Sequence, residues 1–206
     1  MNEGYMDVLR SIASSEPTPG GGSVAALSLA HAHSLSLMVA RLTLAKEKWA
    51  EGHDAAKASI ELSEPGLEEA ILLAISDSEA FESVMSAYRL PKETEDEKIQ
   101  RSEEIRKATI GAALAPLNTA SSAQKLLSNL EKQSASCNPN ALTDLASASE
   151  MALSAAKIAS LNVRINLEYI EGEDVDLLTS KINTVVEQSI ESANIVSTTV
   201  KKRLEW

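Results

Sequence analysis

Four groups of residues have the types and spacing to do chemistry. Pro17-Thr18-Pro19-Gly20-Gly21-Gly22-Ser23 joins two prolines to three glycines and then enters an apolar segment. The prolines stiffen the approach and forbid helix there, while the glycines leave backbone bare for close contact. With Ser23 opening a helical pattern, unpaired amides at a helix start lie beside that backbone, an arrangement suited to an anion or a flat polar ring. The same loop would also serve as a tight turn between closely packed helices.

Asp77 forms the second group, one helical turn before Phe81 on an otherwise apolar stripe. It reads as either a helix-packing hydrogen-bonder or a site carboxylate. Asp144, the third, follows Asn138, Asn140 and Thr143 and projects toward Ala148 and Met151. Early in a helix it complements the positive dipole end. On an alanine-rich face its pKa is also open to tuning. The fourth is Asn162-Val163-Arg164-Ile165-Asn166. Asn162 and Asn166 share a helix face and could read the edge of a heterocycle or lock two helices together. Arg164 points elsewhere and could reach a carboxylate.

Other chemistries find no footing in the sequence. His31 and His33 are two apart, on different sides of a helix, so they cannot share one metal ion. No phosphate-loop lysine follows the glycines, and no strand-to-helix serine elbow is expected. We therefore expect no metal and no tightly bound cofactor.

These groups must be positioned by helices. The 206-residue chain is 44% hydrophobic and only 3% aromatic, so its core must be built from Ala, Leu, Ile, Val and Met. Helical spacing runs through nearly every segment, and no sustained two-residue alternation occurs. Helices are expected over 5–13, 23–50, 54–62, 67–88, 105–130, 138–169 and from 175 onward. Glu64-Pro65-Gly66 is expected to mark a break or a first-turn proline, Leu90-Pro91-Lys92 an end, and Pro116 a kink or local break. The fold class is all-α: a single domain over 1–206, an antiparallel bundle of six or seven helices.

A net charge of −11 argues against nucleic acid or an anionic membrane as partner. Val24 to Leu44 is interrupted by His31, His33 and Arg41, and so is not expected to span a membrane. The single Cys137 permits no internal disulfide and fits a reducing, cytoplasmic setting.

Taken in order, the motifs resemble a known family. They are Pro-Thr-Pro-Gly-Gly-Gly-Ser-Val-Ala-Ala-Leu at 17–27, Met38-Val39, Leu42-Thr43 with Lys46, and Asp77 with Ala80-Phe81. Ala115-Pro116-Leu117, Asn138 with Asn140, Asp144 and Asn162 to Asn166 complete the series. The chain is similar to the cyclodeaminase and cyclohydrolase domain of the formiminotransferase-cyclodeaminase family, and is expected to be a stand-alone member. The resemblance implies an all-α homodimer with sites near the subunit interface, no metal and a tetrahydrofolate substrate. It implies Asp144 first and Asp77 second as acid/base. Gly20, Gly21, Gly22 and Ser23 would approach the substrate, with Asn138, Asn140, Asn162 and Asn166 as polar contacts. Lys46 or Arg164 would meet the glutamate tail. The activity would be ring closure of 5-formiminotetrahydrofolate with loss of ammonia, or hydrolysis of 5,10-methenyltetrahydrofolate. The alternative is a non-catalytic folate- or pterin-binding helical dimer. His31, His33 and Cys137 depart from the family pattern.

Overall fold

The structure, a computed structural model, describes residues 3–206. Six α-helices follow in order: α1 (Glu3–Ile12), α2 (Gly21–Leu44), α3 (His53–Tyr88), α4 (Glu95–Ser136), α5 (Leu142–Leu167) and α6 (Glu173–Leu204). Short 3₁₀ turns at Glu47–Gly52 and Pro139–Ala141 join α2 to α3 and α4 to α5. Among the described residues none lies in a strand. Helices α2 to α5 form a four-helix bundle in which each packs on its neighbours around the ring, and α6 lies across α4 and α5.

Several features differ from the sequence expectation, among them α4, which was expected over 105–130 and runs from Glu95 to Ser136. The helix expected to reach residue 50 ends at Leu44, and the remainder tightens into the first 3₁₀ turn. No break occurs at Pro65, so α3 is one helix where two were expected. Pro65 lies on the exposed side, where the Glu61 carbonyl it leaves unpaired can meet solvent. Pro116 likewise sits inside an unbroken α4. Its missing N–H would have served the Ala112 carbonyl. That carbonyl instead accepts from Asn166 Nδ2 on α5 at 2.9 Å.

Helix ends obey local chemistry. Thr94 and Glu97 form a reciprocal capping box at the start of α4, with 3.2 Å and 2.9 Å bonds. These hydrogen bonds hold the Glu97 carboxyl below its ordinary pKa. Helix α6 begins with Glu173, Asp174 and Asp176 and ends with Lys201, Lys202 and Arg203, matching its dipole at both ends. Gly172 precedes it at φ 137°, a conformation that favours glycine.

The core consists of leucines and alanines, among them Leu29, Leu117, Leu126, Leu130 and Leu145, all fully buried. Small residues let the helices approach closely. A β-carbon at Gly66 would overlap the His33 ring, and one at Gly52 would overlap the Ser136 carbonyl. A buried hydrogen-bonded cluster ties three helices: Gln133 Nε2 donates to the Ser36 carbonyl at 3.0 Å, while the Ser36 hydroxyl bonds Gln133 Oε1 at 3.2 Å. Ser63 of α3 joins it at 3.4 Å.

By length and composition α2 is, among the described residues, the one helix able to cross a bilayer, yet 61% of that stretch is buried inside the bundle. His33, on its inner face, is 1% exposed with neither ring nitrogen hydrogen-bonded. Desolvation lowers its pKa from 6.5 to about 4. Since the folded-state value lies below the unfolded one, protonation of this group costs no stability above pH 6.5. The charging penalty grows as pH falls from 6.5 toward 4, to at most about 3 kcal/mol. Denaturant titrations at pH 7 and pH 4.5 should therefore differ by less in His33→Leu than in the native protein. An unchanged difference would contradict this assignment.

Candidate active site

The glycine loop delivers α2 into the bundle with its first turn uncapped. Gly20 occupies the N-cap position in extended conformation and offers no side-chain cap. The first intrahelical bond runs from the Val24 N–H to the Gly20 carbonyl at 3.0 Å. The amides of Gly21, Gly22 and Ser23 are thus outside the ladder, at the positive end of a 24-residue helix.

Asp77 meets this turn from α3. A β-carbon at Gly22 would overlap its carboxylate, so the close approach requires glycine. The buried Ser23 hydroxyl lies 3.0 Å from Asp77 Oδ2, 3.1 Å from the Ala74 carbonyl and 3.2 Å from the Ser78 hydroxyl. Half-burial pushes the Asp77 carboxyl above its usual range, and the Ser23 hydroxyl and N–H draw it partly back. Here is a carboxylate made easier to protonate beside unpaired amide donors, the pairing that proton transfer with charge stabilisation needs.

Asn162 meets the same turn from α5. A β-carbon at Gly21 would stand 3.6 Å from its Nδ2 and 4.0 Å from its Oδ1, an ordinary contact. Nδ2 donates to the Ile158 carbonyl of its own helix at 2.9 Å, which leaves Oδ1 as an acceptor. Gly20, Gly21, Gly22, Ser23, Asp77 and Asn162 are therefore one cluster.

The remaining expected residues lie elsewhere. Asn166 follows Asn162 by one turn, but its donor is committed to the carbonyl freed by Pro116. Arg164 is turned to α6, where Nη2 bonds Asn183 Oδ1 at 3.0 Å. Asn138 is a joint between α5 and α2: its N–H donates to Thr43 Oγ1 at 3.0 Å and its Oδ1 accepts from the Asn140 N–H at 3.0 Å. Because α2 and α5 run antiparallel, Asn138, Asn140, Asp144 and Lys46 gather at the opposite end of α2 from Gly21. Asp144 to Asn162 is about 27 Å along α5 at helical rise. Among the described residues the Asp144 carboxylate makes no hydrogen bond or ion pair, and no group of three His, Cys, Asp or Glu side chains could hold a metal.

Beyond the first turn of α2 the bundle opens. Asp77, Phe81, Val84 and Tyr88 fall on one face of α3, and Asn162, Asn166 and Tyr169 on one face of α5. Where α2 no longer fills the space between them, a cleft of about 420 Å³ is lined by Val84, Tyr88, Arg106, Thr109, Asn166 and Tyr169. This extension was not foreseen from the sequence, although the i, i+4, i+7, i+11 spacing from Asp77 to Tyr88 was there to find. A larger groove of about 820 Å³, with Glu79, Glu82, Glu104 and Lys107, occupies the other flank of α3 and does not include Asp77.

Comparison with known proteins gives the family and the fold. The family described as formiminotransferase-cyclodeaminase matches residues 5–184. The chain is 36% identical to methenyltetrahydrofolate cyclohydrolase of Methylorubrum extorquens, covering 82% of each chain. It is 28% identical to formimidoyltransferase-cyclodeaminase of Gallus gallus, spanning 36% of that longer protein. A crystal structure of formiminotetrahydrofolate cyclodeaminase from Thermotoga maritima superposes with a TM-score of 0.80 at 27% identity, over 100% of this chain and 96% of that one. The protein belongs to the formiminotransferase-cyclodeaminase family.

Two measurements check the site's construction. Ser23→Ala removes a bond that favours the ionised form, so the Asp77 carboxyl should titrate at higher pH by carbon-detected NMR; no change would contradict the pairing. Asn166→Ala should cost about 1–3 kcal/mol in denaturant unfolding by orphaning the Ala112 carbonyl. In a Pro116→Ala background the restored backbone amide takes that carbonyl, and the cost should fall. Equal costs in both backgrounds would rule out the coupling.

Proposed function

We propose that the protein is a folate one-carbon enzyme that hydrolyses 5,10-methenyltetrahydrofolate to 10-formyltetrahydrofolate. The observation that carries this reading is the half-buried Asp77 carboxyl held against Gly22 and Ser23 at the uncapped start of α2. Further support comes from the 36% identical relative of similar length, which bears the name of that activity. The relatives carry the names of enzymes, so the purely binding alternative gains no support.

In the proposed reaction water attacks the cationic amidinium carbon and gives its proton to the Asp77 carboxylate. The electron pair of the C=N bond moves onto nitrogen, leaving a neutral carbinolamine. The protonated Asp77 then returns its proton to the ring-side nitrogen as the carbon–nitrogen bond breaks. Loss of the hydroxyl proton to solvent completes the formyl group. The Gly21 and Gly22 amides are placed to donate to the oxygen as charge develops on it. Asn162 Oδ1 accepts from the pterin edge.

Cyclodeamination is the second reading, favoured by the Thermotoga maritima match over the whole chain. The same carboxylate would carry a proton from the attacking nitrogen to the departing ammonia. Ammonia release from 5-formiminotetrahydrofolate, against loss of methenyl absorbance, separates the two.

We further propose a homodimer whose two-fold axis crosses the middle of α2. The supporting feature is an outward stripe along that helix: Leu27, His31, Leu35, Met38 and Leu42, the last two 37% and 44% exposed. An isologous contact there would bring Lys46, Asn140 and Asp144 of one copy to the Gly21 end of the other. Asp144 then serves as the second carboxylate of a shared site. A reducing cytoplasmic setting suits the free, buried Cys137.

This arrangement has a sharp test. Asp77→Asn and Asp144→Asn should each abolish most turnover while keeping the fold. Unfolded and refolded together, they should regain about a quarter of native activity, because half the dimers would carry one intact site of two. No regain would exclude sharing; full turnover by Asp77→Asn would exclude its role.

A further inference from the structure

The cleft beyond α2 has an aromatic outer end at Tyr88, and Arg101 rests on that tyrosine just outside the lining; the proton chemistry uses neither. From Asp77 to Tyr88 the shared face of α3 extends about 16 Å. Val84, Ile165 and the 52% exposed Tyr88 give this cleft apolar walls. Arg106 is committed there: Asp174 takes it at 2.7 Å and 3.0 Å, and the Glu171 carbonyl at 3.0 Å. That ion pair raises the Arg106 pKa and anchors the wall.

Arg101 is different. Its guanidinium stands 5.5 Å from the centre of the Tyr88 ring and bonds the Tyr88 carbonyl through Nε and Nη2, at 3.3 Å and 3.1 Å. Nη1 has no partner, and Arg101 makes no ion pair among the described residues. What sets this guanidinium apart is its place: it is stacked on the Tyr88 ring that lines the cleft, with no carboxylate neutralising it. It is also held rigid, since two donors are already fixed.

Resting on the folate reading above, we propose that this cleft is the subsite for the p-aminobenzoyl-glutamate tail, with Arg101 as its anion anchor. With the pterin at Gly21, Asp77 and Asn162, the benzoyl ring runs between α3 and α5 against Val84 and Tyr88. The glutamate carboxylate reaches the free Nη1 of Arg101, a charge-assisted bond at the rim of the cleft. Neither Lys46 nor Arg164 lies on this path within one chain. Arg164 is held on α6, and Lys46 belongs to the opposite end of α2.

The test compares methenyltetrahydrofolate with its pteroate counterpart, which lacks the glutamate, in steady-state kinetics. The native protein should show a lower KM for the glutamate-bearing form. Arg101→Gln should narrow that gap by about threefold to tenfold, the size of one hydrogen bond that stays partly solvated. Raising added salt should narrow it too. Equal rises in KM for both substrates would mean that Arg101 only closes the end of α3, and would overturn the proposal. Narrowing by Lys46→Gln instead would overturn it in favour of a lysine from the second copy. Equal native KM values overturn the tail site while leaving folate chemistry standing. No native turnover of either compound removes both.

Discussion

The architecture depends on one close approach, the backbone of Gly22 against the Asp77 carboxylate. A β-carbon at position 22 cannot coexist with that side chain. The same device recurs along the antiparallel α2–α3 pair. Gly66 makes room for His33, and the small Ser36 and Ser63 meet within hydrogen-bond reach. Each contact sets a small residue on one helix against a larger or polar group on the other. The register of the pair follows from satisfying all of them at once. Sliding α2 by one turn would drive the His33 ring into α3 and take Asp77 from the free amides.

Helix α2 thereby carries both fold and site. Its inner face is alanine and leucine, its first turn supplies unpaired donors, and its last turn is joined to α5 through Thr43 and Asn138. Because it begins short of the ends of α3 and α5, it also creates the cleft above itself. The glycine loop is thus a stop as much as a contact. Continuing the helix toward Thr18 would fill the space in which the proposed substrate tail lies. The low aromatic content fits this economy: one of the three tyrosines lies on the α3 wall of that cleft and another on α5.

Much of this was legible in the sequence. Helical periodicity and the loop at 17–23 indicate an all-α bundle and the place where α2 enters it. Asp77 and Asn162 stand out as polar groups on apolar faces, and they do converge on the glycines. The misreadings have physical causes. Proline was expected to interrupt α3 and α4, but Pro65 faces solvent and Pro116 has its orphaned carbonyl served by Asn166. That hydrogen bond spans 54 residues of sequence and is invisible to local pattern. Asp144 is a separate case: expected ahead of Asp77 as acid/base, it lies within one chain at the opposite end of α2, because α2 and α5 run antiparallel. Arg101 lies in α4 among Glu97, Lys98, Glu103 and Glu104, and local sequence gives no sign of the Tyr88 ring and carbonyl it meets.

The central claim is that the Asp77 carboxylate acts as the base in folate turnover. The most direct measurement is the pH dependence of kcat/KM for methenyltetrahydrofolate, set beside the NMR titration of the Asp77 carboxyl. The account predicts an acid limb above the ordinary carboxylate range whose midpoint coincides with that titration. Both should move upward together when Ser23 loses its hydroxyl. A limb that follows another group, or stays fixed while the Asp77 titration moves, would contradict it.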